Sequence, residues 1–266
     1  MEDLPPELIF EILSETHVGA RPFLQRTLAQ VCRRFAIMLQ PRPKIYHRSL
    51  MYYAGTYGTL AFLEWTMPDV RDGLCTQLAK AGRLPELKWA RSQGCPWDAW
   101  SLTRAAYKGH LAVVQWMHDV EQCPWQEEET IGYAAAGGHL DVIQWLRQRE
   151  CPWSDGTMAW AAGAGHLHVL QWVVEHGCPW HEYTCVAAAS NGHVAILEYV
   201  YTLDVPMWPL DTFERATQEG HLHVLQWGHA RQIHSFRRTM IRRIAESHGR
   251  AAILEWLNSL DEGLDV

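Results

Sequence analysis

The chain has 266 residues, 48% hydrophobic and 20% charged, a composition that builds a packed core and excludes a disordered chain. No run of 18 or more apolar residues occurs, so no membrane-spanning helix is expected. The net charge of −7 is uneven: residues 51–228 hold ten Lys/Arg against twenty Asp/Glu, residues 1–50 seven against five, and residues 229–266 six against five. An acidic middle repels phosphate backbones, which argues against a nucleic-acid partner.

The chain opens Met1-Glu2-Asp3, with no charged-then-apolar leader pattern. The expected setting is a reducing compartment, the cytoplasm, with the nucleus left open. Leu4-Pro5-Pro6-Glu7-Leu8-Ile9-Phe10-Glu11-Ile12-Leu13 predicts a helix with prolines in its first turn, where a missing N–H matters least. Leu8 and Ile12 form an apolar stripe. A second helix is predicted within 24–39, with Leu28, Val31, Cys32, Phe35 and Leu39 at helical spacing. Pro41 and Pro43 then mark a boundary, giving a domain over 1–45 and another over 46–266.

The pattern Leu4-Pro5-x-Glu7-Leu8 with Ile12-Leu13, followed by Val31-Cys32-Arg33-Arg34-Phe35, resembles an F-box. Phe35 stands where Trp is commoner, and 16–23 departs from the family. The resemblance implies a three-helix domain that binds Skp1, the adaptor of cullin–RING ubiquitin ligases. Leu4, Pro5, Leu8, Ile12 and Val31 would then form the adaptor-binding surface. A plainer role for the same side chains is packing against the first repeat.

From residue 46 onward the chain repeats itself. Gly58, Gly82, Gly109, Gly138, Gly165, Gly192, Gly220 and Gly249 recur every 24 to 29 residues. Five are followed by histidine: His110, His139, His166, His193 and His221. Seven residues after each glycine stands Trp or Tyr, and five after it an aliphatic residue. Cys-Pro-Trp recurs at 95–97, 123–125, 151–153 and 178–180. Each unit predicts two short helices. The glycine ends the first in a left-handed turn, and the next residue opens the second. Ala105-Ala106, Ala134-Ala135, Ala161-Ala162 and Ala188-Ala189 let first helices approach closely, while second helices bring Leu and Trp. A helix apolar on more than one side needs neighbours on more than one side, and stacking supplies them.

Ala-Ala-x-x-Gly-His-Leu-x-Val resembles the middle of the ankyrin repeat, best over 134–146 and 161–173. The units here are shorter than the roughly 33 residues of that family. They lack its Thr-Pro-Leu-His opening, and Gly-Cys-Pro-Trp stands where a longer hairpin would be. The expected fold is all-α: a three-helix F-box-like domain, then an ankyrin-like helical-pair solenoid of about eight short repeats, with little or no strand. The end units, around Gly58 and Gly249, depart most and read as polar caps. Short ankyrin arrays behind an F-box resemble proteins of large DNA viruses of amoebae, which implies action on ubiquitination in host cytosol.

Catalytic and metal chemistry are not expected. Cys95, Cys123, Cys151 and Cys178 share one column, and stacked helices lie about 8–10 Å apart, too far to share a zinc ion or a disulfide. These cysteines read as small buried hydrophobes. The five Gly-His histidines resemble the turn histidine of ankyrin units, which implies ties between repeats; one reaction centre does not need five copies. No cofactor is expected. Both Trp columns read as inter-repeat core. Trp100 and Trp160 fall on first helices outside those columns, where core packing and partner anchoring compete. Target contact is expected at variable first-helix and connector positions: Trp100, Arg104, Tyr107, Glu127, Glu128, Asp155, Trp160, His181 and Tyr183. The expected protein is a monomer that binds an unknown target, a substrate receptor of a ubiquitin ligase or a plain scaffold. Arg237, Arg238, Arg242 and Arg243 read as a solvated face of the last repeat.

Overall fold

A computed structural model describes residues 73–262, apart from Ala99, Glu121, 204–207 and His234. The 1–45 segment, with Leu4, Pro5, Leu8, Ile12 and Val31, and the unit around Gly58 lie outside the described residues. The described chain is all-helical, with no strand. Its helices are α1 (73–80), α2 (Leu84–Ser92), α3 (Ser101–Tyr107), α4 (Leu111–Asp119), α5 (Glu127–Gly137), α6 (Leu140–Gln148) and α7 (Thr157–Gly163). They continue as α8 (Leu167–Glu175), α9 (Tyr183–Ser190), α10 (Val194–Thr202), α11 (Thr212–Glu219), α12 (Leu222–Ala230), α13 (Arg238–Ser247) and α14 (Ala251–Glu262).

By its contacts the chain divides into two units, Met1–Leu78 with Pro85–Pro96, and Ala79–Leu84 with Trp97–Val266. In the first, Leu74, Cys75, Leu87, Ala90 and Cys95 are fully buried. The Cys75 thiol donates to the Cys95 carbonyl at 3.7 Å, and the Arg91 guanidinium donates to the same oxygen at 2.6 Å.

The second unit holds the six helix pairs α3–α4 to α13–α14. Each first helix packs on the first helices before and after it and on its own partner, a packed helical-repeat arrangement. Second helices touch each other less. The division follows side-chain size: Ala105, Ala134, Ala161, Ala188, Ala216 and Ala245, all on first helices, are fully buried.

One turn recurs at every pair. Gly82, Gly109, Gly138, Gly165, Gly192, Gly220 and Gly249 all take φ between 63° and 88°. At Gly138 the glycine N–H bonds the Ala135 carbonyl, and the His139 N–H bonds the Ala134 carbonyl. This double closure satisfies carbonyls that a helix end leaves open. The His139 carbonyl then accepts from Ile143 and starts α6, so one residue serves two helices.

The histidine side chains do not cap their own helices. They reach back one repeat. Nε2–H of His110 donates to the Lys80 carbonyl at 3.1 Å, that of His193 to Gly163 at 3.1 Å, and that of His221 to Ser190 at 2.9 Å. His166 bonds the backbone of Ala136. Each acceptor lies two residues before the preceding glycine. A second rung joins His168 to the Gly138 carbonyl and His223 to that of Gly192, at 3.1 and 2.9 Å. The imidazoles rest on the glycines: a Cβ on Gly138 would sit 2.7 Å from the His166 ring, and one on Gly165 2.8 Å from the His193 ring. In the last pair Arg250 takes the histidine's place, and its Nε–H donates to the Gln218 carbonyl at 2.9 Å. The atypical end repeat keeps the tie with different chemistry.

This ladder has a pH signature. Burial holds His110 and His166 below the ordinary histidine value of 6.5. The cations and imidazoles facing them add to this: His139 and Lys108 for His110, and His168, His139 and His193 for His166. The unfolded chain therefore takes up protons before the folded one does. Stability is whole above about pH 6.5 and falls as pH drops through the lower folded values. Urea midpoints are expected to fall between pH 7.5 and pH 5. Replacing His110 and His166 with Gln, which donates without titrating, should flatten that slope; an unchanged slope contradicts the assignment. Asp119 titrates in a separate, lower window. The His118 hydrogen bond and Arg149 hold its carboxyl below the usual range, so its contribution is lost only in stronger acid.

In the connectors, Cys151 N–H closes on the Leu146 carbonyl and Cys178 N–H on that of Val173. The four Cys-Pro-Trp cysteines are buried. The Trp columns depart from the expected inter-repeat core. Trp145 is 6% exposed, but Trp97, Trp116, Trp125, Trp153, Trp172, Trp180 and Trp227 are half-buried. An indole is too large to be covered by one short neighbour, so these rings pair along the second-helix side. Trp97 lies 5.9 Å from Trp116, and Trp153 6.3 Å from Trp172. Chain cations cover several of them, Arg149 over Trp145 at 3.8 Å and Arg147 over Trp153 at 4.4 Å. The C-terminal basic run is largely neutralised in place. Arg237 pairs with Glu214, while Arg238 and Arg242 reach Asp261 at 2.9 and 2.7 Å.

Candidate protein-binding surface

The variable positions of the first helices gather on one side of the second unit. Five residues before Gly109, Gly138, Gly165, Gly192 and Gly220 stand Arg104, Tyr133, Trp160, Ala187 and Arg215, a varied column in which only Arg recurs. Nine before stand Trp100, Glu129, Gly156, Tyr183 and Asp211. Helical spacing puts these two columns on one face, four residues apart. That face carries a row of rings: Trp100 meets Tyr133 edge-on at 6.0 Å, Tyr107 meets Tyr133 at 6.2 Å, and Tyr133 meets Trp160 at 5.0 Å. Trp100, Tyr107 and Trp160 are 40%, 41% and 37% exposed, so for the two tryptophans the core alternative does not hold.

The sequence makes room for this row. A Cβ on Gly132 would overlap the Trp160 ring, and one on Gly156 would lie 3.1 Å from its Nε1. Trp160 thus packs between Gly132 of α5 and Gly156 at the start of its own helix, which restricts its rotamer. An indole fixed in this way loses little side-chain entropy on binding, which makes it a good anchor.

Of the other expected target residues, Arg104, Glu127, Glu128, Asp155 and Tyr183 are exposed and His181 is half-buried. His181 and Tyr183 lie together, ring centroids 5.6 Å apart, at the start of α9. Tyr133, central to the row, is absent from the sequence-based set. It belongs to no repeated motif, and only its register with Arg104 and Trp160 marks it.

Glu127, Glu128 and Glu129 form the first turn of α5, and Asp155 and Glu182 precede α7 and α9. Negative charge suits these helix N-termini. None of the five has an ion-pair partner among the described residues, whereas Asp119 pairs with Arg149 and Glu198 with Arg231.

Chemistry of a catalytic kind finds little support. A cleft on the second-helix side is lined by His118, Asp119, Gln122, Cys123, Pro124, Trp125 and Glu127. In its His118–Asp119 pair, 2.8 Å apart, the carboxylate is already bound by Arg149. Burial pushes the thiols of Cys151, Cys178 and Cys185 up to about 12, so they stay protonated at neutral pH. Among the described residues no three His, Cys, Asp or Glu side chains converge on a point that could hold a metal ion. No described helix is long and apolar enough to cross a membrane.

Residues 102–147 match the family model described as ankyrin repeats (many copies). This stretch runs from α3 through α6 and contains the turns at Gly109 and Gly138, Tyr107 and Tyr133. The stretch is similar to ankyrin repeats. No curated protein matches the chain significantly. Ankyrin repeats are protein-interaction modules, and the four helices that match supply the central part of the aromatic row.

Proposed function

We propose that the array binds a target protein through the first-helix face, with Trp100, Tyr133 and Trp160 as the central anchors. Arg104, Tyr107, Glu127, Glu128, Asp155, His181 and Tyr183 flank them. The observation that carries this reading is a contiguous row of rings on the variable first-helix face, in which Trp100, Tyr107 and Trp160 are exposed while the second-helix and connector tryptophans are half-buried or buried. Exposed rings are unfavourable in water, and Trp and Tyr held in place dominate protein interfaces. The contribution of such a module is proximity, without catalytic residues of its own.

The F-box-like pattern at Leu4–Leu13 and Val31–Phe35 favours a more specific reading. The 1–45 segment would dock on a Skp1-like adaptor through Leu4, Pro5, Leu8, Ile12 and Val31, and the array would present its target for ubiquitin transfer, in cytosol or nucleus. Without that docking the protein is a scaffold. The resemblance to proteins of large amoebal DNA viruses adds a host ligase as the machinery addressed.

One experiment has two arms. Proximity labelling with the full chain should give a set of neighbours that is lost with Trp100→Ala/Trp160→Ala at unchanged helicity. Pull-down of Skp1 should succeed with wild type and fail with Leu8→Asp/Ile12→Asp. Neighbours retained by the first variant reject the binding face. A wild type that leaves Skp1 behind rejects the ligase role alone.

A further inference from the structure

We infer that the partner engages this face with a basic, extended segment whose arginine or lysine side chains lie over the Trp100–Tyr133–Trp160 row. The inference rests on the proposed binding face and names the chemistry of its occupant. Three observations converge. First, this protein covers several aromatics with its own cations: Arg147 on Trp153, Arg149 on Trp145, Arg231 on Tyr201 and, at one end of the row itself, Lys108 on Tyr107. Among the described residues no cation lies over Trp100, Tyr133 or Trp160, although the same quadrupole attraction is available there.

Second, carboxylates at the starts of the row's helices have no ion-pair partner among the described residues, a condition they share with Asp141, Glu150, Glu175 and Glu219 elsewhere, and Glu127 also lines the cleft on the second-helix side. Glu127, Glu128, Glu129, Asp155 and Glu182 lie in or just before the first turns of α5, α7 and α9, the helices that carry or adjoin the row. The Trp160 ring rests against Gly156, the chain neighbour of Asp155. An incoming guanidinium could therefore stack on the indole and meet a carboxylate at once. Arg is better suited than Lys, because its planar head stacks and forks together.

Third, the alternatives carry the wrong charge. The 51–228 region holds twenty acidic residues against ten basic ones. An acidic segment or a nucleic acid would meet repulsion, and a purely apolar helix would bury carboxylates without partners. Repulsion among the unpaired carboxylates is relieved by cations arriving at the face, which adds to on-rate as well as to affinity.

The test uses the full chain and a short fluorescent peptide rich in Arg, Gly and Ser, with a Glu-for-Arg version as control. The Arg peptide is expected to bind, and the Glu peptide to fail. Affinity should drop about tenfold or more, the loss of one desolvated cation–π or charged contact, in Trp160→Ala and in Glu128→Lys/Asp155→Lys. Both variants should keep the wild-type helicity and a cooperative urea transition, with a midpoint lowered only modestly by the lost helix-terminal charge or ring packing. Failure of the Arg peptide to bind, or binding that ignores Trp160→Ala, overturns the inference, the latter by reducing it to undirected charge attraction. Tighter binding of the Glu peptide overturns it as well. If the labelled neighbours still depend on Trp100 and Trp160 while the Arg peptide fails, only the basic-segment inference falls. If the neighbours ignore those residues too, the binding face falls with it.

Discussion

Gly138→Ala is expected to destabilise the array by about 3 kcal/mol, and Gly177→Ala by only about 1 to 2 kcal/mol. Both glycines are left-handed, at φ 79° and 73°. A methyl group at either pays the same backbone strain. They differ in what the methyl meets. At Gly177 nothing lies within 4 Å, while at Gly138 the His166 ring is 2.7 Å away. The ring must swing off, and its bond to the Ala136 backbone goes with it. The difference between the two urea-derived stabilities thus reads the inter-repeat tie alone. In the background of His166→Ala, Gly138→Ala should shrink to the Gly177 value. Equal losses at both positions in the wild type would mean that the histidines ride on the glycines without holding repeats together.

The second large effect concerns a swap of sizes inside one repeat. Phe213 on α11 is fully buried, and Gly228 on α12 lies under its ring, where a Cβ would overlap it. In the same two columns the other repeats hold Leu102 with Met117, Ile131 with Leu146, Met158 with Val173, and Cys185 with Val200, all buried. Here one side takes a ring and the other gives up its side chain. Phe213→Ala is expected to lose about 3 to 5 kcal/mol through the cavity it leaves. Gly228→Val should lose about 1 to 3 kcal/mol by overpacking, despite the better helix propensity of the new residue. The double variant Phe213→Leu/Gly228→Val restores the pairing of the sister repeats. It should be more stable than the sum of its singles predicts by about 1 to 3 kcal/mol. Additive singles would show that the ring and the glycine do not share one space.

The backbone of the fold was legible wherever physics leaves one solution. A left-handed turn favours glycine, so the glycine column located the turn inside every described helix pair, while the connectors also turn left-handed at Gly94, Gly177, Gln122, Glu150 and Gln232. A connector as short as Gly-Cys-Pro-Trp leaves no length for a hairpin, and none forms among the described residues. Cysteine burial followed from its column. Packing depth was less legible. A periodic Trp tells which face of a helix it occupies but not how much of the indole a neighbour covers, so the two Trp columns came out half-buried against expectation. Ser101, Thr130, Thr157, Thr184 and Thr212 form a buried column, and the Thr130 hydroxyl lies 2.7 Å from that of Thr103. Its polarity hid it from a search for apolar periodicity.

The binding face was legible in part. Trp100 and Trp160 stood out as large residues off the repeated columns. Tyr133 did not, because a single Tyr in Ile-Gly-Tyr-Ala carries no signal until repeats are aligned by register. Aligning them shows a column that mixes Arg, Tyr, Trp and Ala, which is how a surface differs from a core. The glycines beside Trp160 belong to the same lesson. Gly132 and Gly156 fall outside the turn column, and their use appears only when the ring is seen packed between them.

The most direct measurement is hydroxyl-radical footprinting of the full chain, alone and with a captured partner, read residue by residue. Trp100, Tyr133 and Trp160 should oxidise readily in the free protein and become protected in the complex, while Trp116, Trp172 and Trp227 on the second helices keep their free rates. Protection confined to the second-helix tryptophans, with the first-helix row still oxidising, would contradict the proposed surface outright.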